Sequence, residues 1–303
     1  MSRTITFIAW LIPLSFYSAS AHAWGLFTHI YFAQLLIWAV PLADPRLRRI
    51  AREFPRLVMA GACLPDLAIF GKYAKTDAFA NNHQWEITEK LFREARDDRE
   101  VALSIGYGSH LLVDVIAHNH FVPAHEILWL DLPMTTHIAA EWAMDAHIRS
   151  HLFATPQDLL QREASGLMAY VARQFGCSAE QSRAAISALA TGDGWLRRGR
   201  IPQLLYQVAR RVDKPLRRRF DHYIGATAEL LPQLERVLQG ETPFFAAEAA
   251  CRLSAQAQVS RHKESQIRMR LPLPRDLFLQ IEMAKEIEAM AAPISVPAMT
   301  SVG

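Results

Sequence analysis

The sequence predicts an all-α protein, read as a single large helical domain, and three observations carry that expectation. Apolar residues recur at helical spacing along most of the chain, and convincing runs of two-residue alternation are absent. Prolines stand where helices begin, as at Pro45 and Pro202. The run Val101 to Ala117 is apolar on most of its faces, as a helix enclosed by others must be.

In chain order, Tyr31 to Val40 reads as a buried apolar segment, and Pro45 to Phe54 as a helix that starts on proline. Val58 to Pro65 is small and apolar. A loop rich in Gly, Lys, Asn and Asp then runs to Asn82, and Trp85 to Ala95 has helical periodicity. The enclosed helix Val101 to Ala117 follows. Pro123 and Pro133 bracket a connector, and Thr136 to Leu152 is helical again. Further helices are expected over Gln157 to Phe175, Ala179 to Thr191, Pro202 to Val212, Phe220 to Gln239, Pro243 to Ala257 and Asp276 to Met290. Residues 291–303 lack a helical face and read as a loose tail.

Composition narrows the function classes. The chain of 303 residues is 51% hydrophobic and 21% charged, with a formal net charge of +3. So small an excess of positive charge does not mark a nucleic-acid-binding protein. Three cysteines, Cys63, Cys177 and Cys251, are too scattered for a disulfide framework or a thiolate zinc site. Their odd number leaves at least one unpaired within the chain, and their spacing does not choose a pair.

The amino terminus has the layout of a secretory signal. It combines the basic Arg3, the apolar run Ile5 to Tyr17, and Ala21-His22-Ala23 as an A-x-A cleavage site. Cutting after Ala23 makes Trp24 the first residue. Its free amine and its carbonyl can then chelate a metal, and His29 lies close enough in sequence to close the site. The expected divisions are a signal over 1–23, a metal-binding catalytic core over 24–152, a C-terminal helical portion of the same domain over 153–290, and the tail. Export to the periplasm or the medium is the expected destination.

The remaining chemistry is concentrated before residue 152. His110 and Asp114 sit four apart on the enclosed helix, so both side chains emerge on one face, and His137 and Glu141 repeat that spacing. Each pair offers one neutral nitrogen and one anionic oxygen. Between them lie His118 and His120; upstream lie Asp66 and His83. Taken singly, such a histidine is more often a hydrogen-bonded core residue than a ligand. As a set, these are the nitrogen and oxygen donors zinc takes, and a shared cation would neutralise several buried charges at once.

The order Trp24, His29, Asp66, His83, His110 with Asp114 and His120, then His137 with Glu141, resembles the zinc-dependent phospholipase C family, related to the S1/P1 nucleases. Trp24-Gly25 with Thr28-His29, and His118-Asn119-His120-Phe121-Val122-Pro123, are similar to a bacterial branch of it. The resemblance implies a helical fold around three zinc ions. One takes Asp66, His83, His110 and Asp114; a second takes the amine and carbonyl of Trp24, His29 and the bridging Asp114; the third takes His120, His137 and Glu141. The family spacing favours His120 over His118, which stands one turn after Asp114. It also implies Asp66 as the carboxylate that steers or accepts the proton of an attacking water. The implied reaction is phosphodiester hydrolysis, with a phospholipid as substrate. Leu67 stands where choline-preferring members carry an aromatic residue, so a choline preference is not implied.

Three alternatives follow: a phospholipase C, a nuclease for single-stranded nucleic acid with the same metals, and a metal-stabilised helical binding protein without catalysis. Phe70, Tyr73 and Phe79 lie near Asp66 and read first as packing residues. The run from Arg197 to Arg219 is strongly basic, with Trp195, Leu204 and Tyr206 interleaved. It reads first as a solvated helix face, and second as a surface for anionic phospholipid head groups at a peripheral membrane contact.

Overall fold

The computed structural model describes residues 25–129 and 133–241. The signal expected over 1–23, Trp24, Cys251, the helices expected over 243–257 and 276–290, and the tail expected over 291–303 lie outside the described residues. Within them the chain is helical and no strand occurs, as the periodicity predicts. No described helix is long and apolar enough to cross a membrane.

Helix α5 (Asp98–Ile116) is the axis of the fold and is buried continuously from Val101 to Ile116. It begins cleanly because Asp97 caps it by accepting from the Glu100 amide, with Asp98 and Glu100 at the positive end of the helix dipole. Around it pack α1 (Leu26–Trp38), α2 (Pro45–Glu53), α3 (Pro55–Gly61) and α4 (Trp85–Arg93). The α3–α5 approach is the closest. A Cβ on Gly106 would stand 1.9 Å from the Val58 carbonyl oxygen, so only glycine permits it.

After α5 the backbone widens into one π-helical turn, Ala117–Phe121, and enters α6 (Val122–Leu128). The bracketed connector is thus itself helical, because Pro123 sits in a first turn, where a missing amide costs nothing. Helix α7 (Pro133–Ile148) returns beside α6 and α1 and ends in a 3₁₀ turn at Arg149–His151. The expected helix over 157–175 divides at Glu163 into α8 (Pro156–Arg162) and α9 (Ala164–Phe175). Gly176, at φ 67°, terminates α9 in the left-handed region. Ser178 and Gln181 form a reciprocal capping box that starts α10 (Ala179–Arg198), which runs a further two turns beyond Thr191. Helices α11 (Ile201–Val212), α12 (Leu216–Leu230) and α13 (Leu234–Leu238) complete the described chain. Cys63 and Cys177 are both free thiols.

Candidate metal centre

The four-residue spacing on α5 and α7 aims both His/carboxylate pairs into the interior. His110 stands with its Nε2 3.3 Å from Asp114 Oδ2. Its other nitrogen, Nδ1, lies 2.8 Å from the Ala62 carbonyl oxygen. That contact makes Nδ1 the protonated nitrogen and leaves the Nε2 lone pair facing the carboxylate, an arrangement that calls for a cation between them.

Other elements converge on the same point. From α1, His29 stacks on His110 with ring centroids 3.5 Å apart and brings its Nε2 to 3.5 Å from Asp114 Oδ1. Asp66 arrives on the 3₁₀ turn Pro65–Phe70, with its Oδ1 3.9 Å from His110 Nε2. His83, just before α4, reaches 3.7 Å from Asp114 Oδ2 and 3.9 Å from Asp66 Oδ1. Two overlapping donor groups result: His29, Asp66 and His110, and His83, His110 and Asp114.

A third group is His118, His137 and Glu141. His137 Nε2 lies 2.8 Å from Glu141 Oε1, and His118 Nε2 lies 3.7 Å from Asp114 Oδ1. His120, the expected ligand, is not in this group. Across the widened turn His118 stays on the side of Asp114, and His120, two residues on, leaves that side. His120 lies beside α12, where Tyr223 Oη approaches its backbone carbonyl and His222 is a neighbour. Burial and His222 lower its pKa to about 4.

The electrostatics show what the cluster lacks. Burial pushes the Asp66 carboxyl up to about 7, against the pull of His110 and with a further push from Asp114 and Asp145. Burial also raises Glu141 well above the ordinary range, with Asp114 and Asp66 adding to it. Asp114 is held below the ordinary range: burial opposes ionisation, but His110, His29 and His118 outweigh it. His29 is pushed down by burial and by His110. Both nitrogens of His29, Asp66 Oδ1, His110 Nε2, both oxygens of Asp114 and both nitrogens of His118 are buried without a hydrogen-bond partner. Buried polar atoms are rarely left so, and nitrogen and oxygen donors clustered this way suit zinc.

Sequence reading missed two groups beside the centre. Glu126 Oε1 lies 3.8 Å from His137 Nδ1, on the α6 helix that the prolines concealed. Asp145 continues the α7 stripe of His137 and Glu141 at the same four-residue spacing, a signal that was open to reading. Of the aromatic residues near Asp66, Phe79 is buried and Phe70 half-buried, while Tyr73 is 71% exposed.

Fold and centre together define an all-helical protein with a buried histidine–carboxylate cluster for divalent cations. Residues 28–177 match the family model described as zinc dependent phospholipase C, and that segment carries the zinc-dependent family's pattern. No curated protein and no solved structure matches the chain.

Proposed function

We propose that the chain is an exported zinc-dependent phosphodiesterase, a phospholipase C that converts phospholipid and water into diacylglycerol and a phosphorylated head group. The observation that carries this reading is the set of buried, unpartnered donor atoms on His29, Asp66, His110 and Asp114 in a chain whose residues 28–177 match this family. Asp66, His83, His110 and Asp114 would hold one zinc. The amine and carbonyl of Trp24, with His29 and Asp114, would hold a second, and His118, His137 and Glu141 a third. Bound zinc acidifies water and offsets the charge that grows on phosphoryl oxygens.

The chain's own groups supply the rest. Water oxygen bonds to phosphorus as the phosphorus–glycerol oxygen bond breaks, and the glycerol oxygen departs as a hydroxyl after taking a proton. Asp66, buried on the 3₁₀ turn beside His110, would steer or accept the water's proton besides its role as a ligand. His110 is held in one tautomer by the Ala62 carbonyl, so its Nε2 stays a donor to the centre.

A lipid surface is supported by a cleft of about 740 Å³ beside α10. Arg149, Arg198 and Arg200 line it together with Phe153, which is 79% exposed, and Arg197 and Phe27 line it too. Trp195, beside Arg198, is 68% exposed. Such a mix of arginine and exposed aromatic rings suits a peripheral contact with phospholipid head groups. Export rests on the Arg3, Ile5–Tyr17 and Ala21-His22-Ala23 pattern.

The test is product analysis by mass spectrometry after protein beginning at Trp24 meets a mixed phospholipid extract and zinc. Diacylglycerol should appear and vanish on adding a chelator. No lipid turnover by zinc-loaded protein would overturn the reading, and nucleotides released from single-stranded nucleic acid would replace it with a nuclease.

A further inference from the structure

Helix α1 carries His29 but has no cap of its own. Gly25, at its N-cap, offers no side chain, and no acidic residue stands in its first turn. The amides of that turn, of which Thr28 also reaches the Gly25 carbonyl at 2.9 Å, draw on acceptors outside the helix, since a buried helix end without them is costly. They find Asp145, on α7. Its Oδ1 accepts from the Thr28 amide at 2.9 Å and from the Thr28 hydroxyl at 2.8 Å, and its Oδ2 accepts from the Phe27 amide at 3.4 Å. The carboxylate is completely buried and lies where the α1 dipole is positive.

Asp145 is in turn held by Arg197 of α10. The guanidinium pairs with Asp145 Oδ2 through Nη2, donates from Nε to Asp193 Oδ1 at 2.9 Å, and covers the Phe27 ring at 3.7 Å. The fit is tight at the entry to the helix: a Cβ on Gly25 would fall 2.1 Å from Asp145 Oδ2. Both Asp145 oxygens are engaged, which separates this carboxylate from Asp114, where neither has a hydrogen-bond partner. Asp145 is therefore no ligand. It holds the backbone one residue before His29.

We infer that Asp145 and Arg197 are positioning residues for the amino-terminal arm of the zinc centre, fixing His29 and the backbone that leads to residue 24. The inference rests on the reading of His29 as a zinc ligand. It has a particular consequence for the chain: Arg197 lies beyond residues 28–177, so the family-matched segment does not by itself contain everything that shapes the centre.

The test uses the full protein beginning at Trp24 and the variants Asp145→Asn, Arg197→Met and Arg197→Lys. Arg173→Ala, which removes the separate Arg173–Glu100 pair, is the control. Zinc affinity is measured by competition with a chromogenic chelator, and the site is viewed through the absorption bands of the cobalt-substituted protein. Asp145→Asn and Arg197→Met should weaken zinc binding by about 10–100-fold and shift the cobalt bands. Arg197→Lys should recover part of the loss, and the control should match the unaltered protein.

A second readout does not need metal: hydrogen exchange of peptides covering residues 25–32 in chelated protein should accelerate in Asp145→Asn. Folded Asp145→Asn with unaltered zinc affinity, cobalt spectrum and exchange would overturn the inference. If Arg197→Met does not fold, Asp145→Asn, which keeps the side chain's size, decides it. Failure of the unaltered protein to take up zinc would count against the proposed function instead, and the exchange result would still judge the clamp.

Discussion

Two of the buried polar centres among the described residues handle charge in opposite ways. At the junction of α6 and α12, Arg219 is 2% exposed, yet it is answered from within. It pairs with Asp213, and its Nε donates to His125 Nε2 at 2.9 Å. Trp129 Nε1 donates to the same Asp213 oxygen at 2.9 Å, and His125 Nδ1 lies 2.7 Å from the Phe121 carbonyl oxygen. Around Asp114, by contrast, histidine nitrogens and carboxylate oxygens face one another without hydrogen bonds. The first centre is an ion pair formed within the fold, in which Asp213 Oδ2 takes both partners and Oδ1 is left over. The second is built for positive charge brought from outside, and the difference is legible in which donor atoms are left over.

The sharpest way to break the comparison is Asp114→Asn, which removes the charge that four histidines surround. Hydrolysis of a phosphodiester substrate should fall by about a thousandfold, with loss of bound zinc by elemental analysis, while circular dichroism stays helical. Retained activity would show that the second centre does not work through a cation.

Next in size is Arg219→Ala. It should destabilise the protein by about 4 kcal/mol in denaturant titration, because Asp213 is left buried without its partner. Zinc bound per folded molecule should not change. A smaller cost is expected from chelation of the unaltered protein, about 3 kcal/mol if zinc had been present at a hundredfold over its Kd. A melting temperature indifferent to chelator would place the two centres in the same class.

The gentlest effect is on pH. Burial, then Arg219, hold His125 well below the ordinary histidine pKa. A base with a depressed pKa in the folded state contributes stability above its unfolded value of 6.5, and loses it as pH falls below. His125→Gln can still donate to Phe121 and accept from Arg219, but it cannot take up a proton in this range. The melting temperature of chelated His125→Gln should therefore decline less between pH 6.5 and acid than that of the unaltered protein. Parallel curves would show that His125 is not held neutral.

His118 and His120 give a further contrast within one turn. His118→Ala should lower zinc content, and His120→Ala should leave it intact, both read by elemental analysis of folded protein. The opposite result would restore the family spacing over the helix geometry.

The sequence made the two His/carboxylate pairs readable because both partners lie on regular helix, where four residues fix a common face. It could not choose between His118 and His120, since one wide turn of backbone at Ala117–Phe121 carries no local signature. Helix α6 was hidden for a related reason: Pro123 reads as a break, yet proline is at home in a first turn. The basic residues of the run from Arg197 to Arg219 are exposed, as the first reading has it, except at its two ends. Charge in a helix suggests a wet face, but its two end residues point inward to buried aspartates, while Arg198 and Arg200 line the exposed cleft. Whether an arginine is paired or solvated depends on residues distant in sequence, and no window along the chain contains both.

The borrowed cap on α1 also sets an order of events. Thr28 and the carboxylate that caps it are 117 residues apart, and the arginine that locks the carboxylate comes later still. A chain made from its amino terminus displays His29 long before the groups that hold it exist. The zinc arm can therefore take its final shape only when the last of its three helices has docked, and a prematurely ended chain carries its histidines without the frame that aims them.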